Sequence, residues 1–245
     1  MTTDVLRPLL QLEGVAEAMD QARAAVDTAL AHRVLRRHGG QVAAEAALRS
    51  ARASAALEGH AYSLEEVRAG TVTDPVVQGS LRVSEKVGLA DLWGRAPRQA
   101  LARLHALAAR GSVTDADLGR PTTSDPQVMA RIDALVELVT RARDVPAVLL
   151  AAVVHGELLT LRLFPGPNGV VARAAARLTL IERGLDPRAL MVTEVGHLAR
   201  HPEYVGAANA YATGTPDGVR SWLRHYATAV VLGAQETVAI ASALQ

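Results

Sequence analysis

Cysteine is absent from the 245-residue chain, lysine occurs once, at Lys86, and aromatic residues make up only 3% of it. Without a thiol there is no disulfide scaffold, no thiolate zinc or iron-sulfur site and no cysteine nucleophile, so a metal would need His or carboxylate ligands. Charge of one sign is missing too. Lys+Arg number 26 against 25 Asp+Glu, and a balanced surface offers no footprint for a nucleic-acid backbone. No stretch suits a membrane span of about 20 apolar residues. The longest nearly uncharged run, 226–245, carries Gln235, Glu236 and Thr237 in its middle and reads as a packed C-terminal helix. The opening segment, with Asp4, Arg7 and Pro8, lacks a basic then apolar signal-peptide pattern, so the expected location is the cytoplasm. The excess of alanine and arginine is the bias of a GC-rich, bacterial genome and carries no function.

Hydrophobic residues make up 49% of the chain, and a folded protein of this length buries roughly 70–75% of its extended surface. A large core is therefore available. Apolar residues recur at helical spacing almost everywhere, and period-two runs of β-branched residues are nearly absent, which predicts an all-α fold. Helices are expected over 15–37, ended by Gly39-Gly40, and over 42–57, ended by Gly59. They form an N-terminal helical pair, residues 1–60, ahead of a core over 61–245. Ser63-Leu64-Glu65-Glu66 is a capping-box pattern opening a short helix, 97–110 reads as a helix ended by Gly111, and 112–125 is polar and irregular. The helix over 127–143 is amphipathic. The next, over 146–161, is apolar nearly all round and belongs at the centre of a bundle. Further helices are expected after Asp186-Pro187, Pro202 and Thr215-Pro216, each with a cap-then-proline start.

Chemistry points to the loop 164–169. A buried helix, a tight Gly/Pro turn and a new helix N-terminus are the ingredients of an anion site, because the first amides of a helix lack intrahelical partners. Arg173 and Arg177, four residues apart, share a face behind it. A plain helix-loop-helix corner with solvated arginines is the alternative. Elsewhere, His197 and His201 have the i, i+4 spacing of a helical metal pair, but Pro202 follows directly and no carboxylate is placed, so chance spacing is the reading. His155, seven residues before Arg162, is either a buried histidine bonded to backbone or a displaced base. Glu157 is either a partner for the loop or a substitute acid. His105 reads as a core residue.

The segment Thr160-Leu161-Arg162-Leu163-Phe164-Pro165-Gly166-Pro167-Asn168-Gly169-Val170-Val171-Ala172-Arg173 resembles the core motif of Fic-domain proteins, HxFx(D/E)GNGRxxR. Ser54-Ala55-Ala56-Leu57-Glu58-Gly59 is similar to that family's inhibitory-helix motif, (S/T)xxxE(G/N). The resemblance spans roughly residues 42–230, with landmarks at His105, at His155 and between Tyr204 and Trp222. It implies a transferase moving AMP from ATP to a hydroxyl of a target protein, with Phe164, Asn168, Gly169 and Arg173 binding the nucleotide. It further implies that Ser54, Glu58 and Gly59 form the inhibitory motif, Glu58 pairing with Arg173.

The departures from that motif are as informative as the matches. Arg162 stands where the family has its basic histidine, and a guanidinium stays protonated at physiological pH. Gly166 replaces the acidic magnesium ligand, Pro167 removes a backbone donor, and Val170 replaces the first arginine. The expectation is a Fic-fold pseudoenzyme without a metal, binding ATP, another phosphate ligand or a protein partner at 164–173. The alternative is a divergent AMP transferase using His155 or Glu157 as base. A third reading is an interaction module, a homodimer through its alanine-rich N-terminal helices.

Overall fold

A computed structural model describes residues 5–244; the reading of Asp4 and the end of the C-terminal segment at Gln245 lie outside them. Among the described residues the chain is all-α, with twelve helices, no strand and one isolated bridge between Arg110 and Val113. In order they are α1 (Val15–Leu30), α2 (Leu35–Ala56), α3 (Leu64–Arg68), α4 (Pro75–Ser84), α5 (Ala90–Arg95), α6 (Pro97–Ala109), α7 (Pro126–Arg141), α8 (Ala147–Leu161), α9 (Asn168–Glu182), α10 (Thr193–Ala199), α11 (His201–Ala212) and α12 (Pro216–Ser242). No helix among the described residues is long and apolar enough to cross a membrane.

The helix that is apolar all round takes the centre. Every residue of α8 from Val148 to Gly156 is buried, with α9, α11, α12 and α7 packed round it. Gly156 makes the closest approach there, since a Cβ would sit 2.8 Å from Trp222 Nε1 and from the Tyr211 ring. Trp222 uses that nitrogen to donate to the Ala152 carbonyl at 2.8 Å, so the indole is buried without an unmet polar group. The amphipathic α7 buries Ile132, Leu135 and Val139 and leaves its other face exposed. Val15, Met19, Ala22, Val26 and Ala29 form the buried stripe of α1, which lies along α12.

Local start signals behave as the residue types dictate. Ser63 Oγ accepts from the Glu66 amide at 3.2 Å while Glu66 accepts from the Ser63 amide at 2.8 Å, the reciprocal bonds of a capping box. Thr215 caps α12. Three expectations need correction. The pair Gly39-Gly40 does not end a helix: the break comes at 31–34, and α2 runs through both glycines with a kink at His38 (φ −117°, ψ 17°). No helix follows Asp186-Pro187, because the Asp186 carboxylate accepts from the Leu190 and Met191 amides, both at 2.9 Å, and closes a turn instead. The helix at Pro202 does form, but without a capping side chain. The boundary at residue 60 falls in the turn after α2.

Candidate functional site

The α8–α9 loop is held from both sides. Arg162 ends α8 in the left-handed region (φ 44°), a conformation that costs a non-glycine residue about 1–2 kcal/mol. Phe164 is buried and stacks on His105 of α6, ring centroids 4.5 Å apart and planes within 8°. His105 also donates from Nε2 to the Pro165 carbonyl at 2.8 Å and accepts at Nδ1 from the Gly119 amide at 2.9 Å. Accepting at Nδ1 requires the neutral ring, and burial lowers its pKa accordingly. Asn168 closes the loop from within. Its Oδ1 accepts from the Phe164 amide at 3.0 Å and its Nδ2 donates to the Phe164 and Gly166 carbonyls. Asn168 and Phe164 thus shape the loop rather than project from it.

Arg173, one turn into α9, is buried, with 2% of its side chain exposed. Nη2 donates to Glu58 at 2.8 Å and to the Ser54 carbonyl at 2.9 Å, Nε donates to Ser54 Oγ at 2.9 Å, and Nη1 donates to the Tyr204 hydroxyl at 3.1 Å. Ser54 lies in the last turn of α2 and Glu58 in the turn that follows it, closed at Gly59 with φ +91°. The structure thereby joins the N-terminal segment to α9 through one guanidinium. The Glu58 carboxylate also presses on the start of α9: a Cβ on Gly169 would lie 2.0 Å from Glu58 Oε1. Only glycine leaves it room. A negative group therefore already occupies the end of α9 where unpaired amides favour one.

Beside this pair opens a cleft of about 500 Å³. Glu58, Thr160, Arg162 and Asn168 form its polar side, and Leu57, Leu159, Val205 and Ala208 form its apolar wall. Arg162 is exposed and makes no ion pair among the described residues. The other candidates lie elsewhere. Glu157 is bound by both Nε and Nη2 of Arg131, at 3.1 and 3.0 Å, and accepts from Tyr211 at 2.9 Å. His155 is fully buried, and its partner is a hydroxyl rather than the backbone: Nε2 lies 3.1 Å from Tyr204 Oη. Burial first, then the nearby Arg173 charge, holds its pKa far below the ordinary imidazole range. Burial raises the Tyr204 pKa, opposed by Arg173.

His197 and His201 do not meet as a metal pair, since they sit on α10 and α11 and His201 points to solvent. His197 instead lies with Nδ1 3.0 Å from Nε2 of His225, a contact across 28 residues with no sequence signal. The His197 pKa is pushed far down by burial and then by His155 and His225, while burial takes His225 to about 4. Tyr204, which completes the Arg173 site, has no local signal beyond its place among the landmarks of the resemblance. Magnesium, which the resemblance implies, does not fit. Gly166 offers no side-chain oxygen, the cleft's carboxylate is engaged by Arg173, and no group of three His, Asp or Glu among the described residues is arranged to hold a metal ion.

No sequence-family model and no curated protein matches the chain. Solved structures do match in shape. A Fic family protein from Desulfovibrio desulfuricans superposes with a TM-score of 0.73 at 18% identity, over 93% of this chain and 75% of that one. Fic-1 from C. elegans, residues 134–508, superposes with a TM-score of 0.70 at 18% identity, over 96% and 74%. With the buried α8, the α8–α9 loop and the Glu58–Arg173 contact in place, the likeness shows that this chain has the fold of the Fic proteins.

Proposed function

We propose that the chain is a Fic-fold regulator that has lost AMP transfer and acts by binding a phosphate-bearing ligand in the α8–α9 cleft, admitted when Glu58 withdraws. The observation that carries this reading is the carboxylate of Glu58 seated against Gly169 and bonded to Arg173 at 2.8 Å, a negative group where a phosphate would lie. Loss of transfer is supported by the surroundings. The group at the base position is Arg162, whose guanidinium carries only donors, His155 is enclosed behind Tyr204, and Glu157 is engaged by Arg131 and Tyr211. Removing one transition-state charge partner costs about 3–4 kcal/mol, and several are absent together. The apolar wall at Leu57, Leu159 and Val205 suits the organic part of the ligand, a nucleoside or a phosphorylated side chain.

The test is calorimetric titration of ATP, with and without magnesium, into the wild type and Glu58→Ala. Binding in Glu58→Ala that is independent of magnesium, and weak or absent in the wild type, is the expected result. No heat in either protein turns the reading to a protein-interaction module. Transfer of the AMP moiety to any protein hydroxyl refutes the loss of activity and restores the divergent transferase.

A further inference from the structure

Residues 57–62, which carry Glu58, leave α2 as a short strap. Its turn is closed locally: the Ala55 carbonyl accepts from the Glu58 and His60 amides and the Ala56 carbonyl from the Gly59 amide, each at 3.0 Å. Gly59 takes a positive φ, and a Cβ there would meet nothing within 4 Å, so glycine serves the backbone and not the packing. Beyond α2, hydrogen bonds among the described residues tie the strap to the body at two places only. Glu58 reaches Arg173 on α9 at 2.8 Å, and on the other side of Gly59 the Nδ1 of His60 lies 2.7 Å from Asp74 Oδ2 at the start of α4. Tyr62 adds a longer contact, its hydroxyl donating to the same oxygen at 3.3 Å.

The Asp74 end is rigid. Oδ1 of the same carboxylate accepts from the Val76 and Val77 amides at 2.8 and 3.3 Å and so caps α4. The helix in turn is wedged against α6, where a Cβ on Gly79 would lie 1.9 Å from the Ala108 carbonyl oxygen. Burial raises the Asp74 pKa, but the bonds from His60 and the two α4 amides outweigh burial and hold it below the ordinary value. An ionised carboxylate only accepts, so His60 carries a proton on Nδ1 and donates it. The two ends of the strap open at different cost. The Arg173 side chain is 2% exposed and that of His60 39%. The imidazole can exchange Asp74 for water, whereas Glu58 leaves a buried guanidinium behind.

We propose that Asp74 is the catch of a conformational latch: His60 bound to it holds the strap in the turn that seats Glu58 on α9, and release of His60 lets the strap carry Glu58 off Gly169. Glu58 and His60 flank the same glycine and share the Ala55 carbonyl, so the turn does not swing one outward while the other is pinned. Neither His60 nor Asp74 lines the α8–α9 cleft. Control of the cleft therefore lies outside it, at the edge of α4, where the exposed Gly59 and Ala61 leave the catch open to solvent. The inference rests on the reading that Glu58 withdraws, and adds what decides when it does.

The test is amide NMR of the whole chain at pH 7 in the wild type, His60→Phe, Asp74→Asn and Glu58→Ala. Glu58→Ala supplies the reference positions of the Gly169 and Val170 amides with no carboxylate against α9. Asp74→Asn keeps an oxygen for the α4 amides and offers His60 an amide group in place of the acceptor. Both latch variants are expected to move the Gly169 and Val170 resonances part of the way to the reference, and to speed hydrogen exchange at the amides of residues 59 and 60 about tenfold, the loss of one charge-assisted bond. Changes confined to 60–62 and 74–77 overturn the proposal, because they describe a local tie. Movement in Asp74→Asn alone overturns it too, since it traces to the cap of α4. The ATP titration reads the other claim separately. Heat in Glu58→Ala with Gly169 unmoved in the latch variants sinks the catch and keeps the ligand, and a moved Gly169 without heat does the reverse.

Discussion

Gly169→Ala is a sharp test of the Glu58–Arg173 contact, because it adds one carbon at a defined place. The new Cβ would lie 2.0 Å from Glu58 Oε1 and 2.9 Å from Arg173 Nη1, far inside contact distance, so the carboxylate must leave. The backbone at Gly169 is helical, and alanine alone would favour α9 by up to about 1 kcal/mol. Against that stands the lost charge-assisted bond of 2.8 Å, worth about 1.5–3 kcal/mol, from a guanidinium with 2% of its side chain exposed. A net loss of about 1–2 kcal/mol is expected for Gly169→Ala, and about 3 kcal/mol for Glu58→Ala, which removes the counter-charge outright. The two must not add. Once Glu58 is alanine the clash has no partner, so Gly169→Ala becomes neutral or stabilising, and the cycle yields a coupling of about 2 kcal/mol. Urea unfolding of the four proteins measures it. A cost for Gly169→Ala that is the same with and without Glu58 would show that the carboxylate does not sit on α9.

Stability is expected to fall in mild acid. His155, His197 and His225 have folded pKa values below the unfolded value near 6.5, so below that pH the unfolded chain binds protons the native state refuses. Their stabilisation is complete above about pH 6.5 and is lost toward the folded values, at up to about 4 kcal/mol per pH unit for three groups. Urea midpoints at pH 7, 6 and 5 read the slope, and a flat profile would mean that the rings are charged in the native protein. His105→Phe keeps the stack on Phe164 but strands the Gly119 amide and the Pro165 carbonyl, with an expected cost of about 2–4 kcal/mol. Protease cleavage at 163–169 should rise in parallel, and an unchanged midpoint would remove His105 from the loop's support.

Much of the architecture was legible because helical periodicity is a local signal. The continuous apolar run of α8, the capping box at Ser63 and the amphipathic α7 each follow from residues within two or three turns. The Glu58–Arg173 pair, 115 residues apart, was legible only through resemblance, since neither residue differs locally from any surface charge. Gly39-Gly40 misled because a glycine weakens a helix without forbidding it; the packing of α2 on α4, α10 and α12 supplies more than the pair costs. Asp186 misled in the opposite way, its carboxylate capping a turn instead of a helix. The buried contacts of Tyr204 with His155 and of His197 with His225 were illegible for a different reason: they draw on α8, α10, α11 and α12, and no local spacing encodes which of those side chains meet.

The pairing of α1 with α12 sets an order on synthesis. Val15, Met19, Val26 and the rest of the α1 stripe are covered largely by a helix that begins at Pro216. Translation at about 5–20 residues per second leaves that stripe without its cover for roughly 10–40 s. Throughout that interval the nascent chain presents an alanine-rich apolar helix to its surroundings, with its partner not yet made. The fold is thus closed by its last long helix, and a ribosome-bound chaperone would find its binding surface at the first.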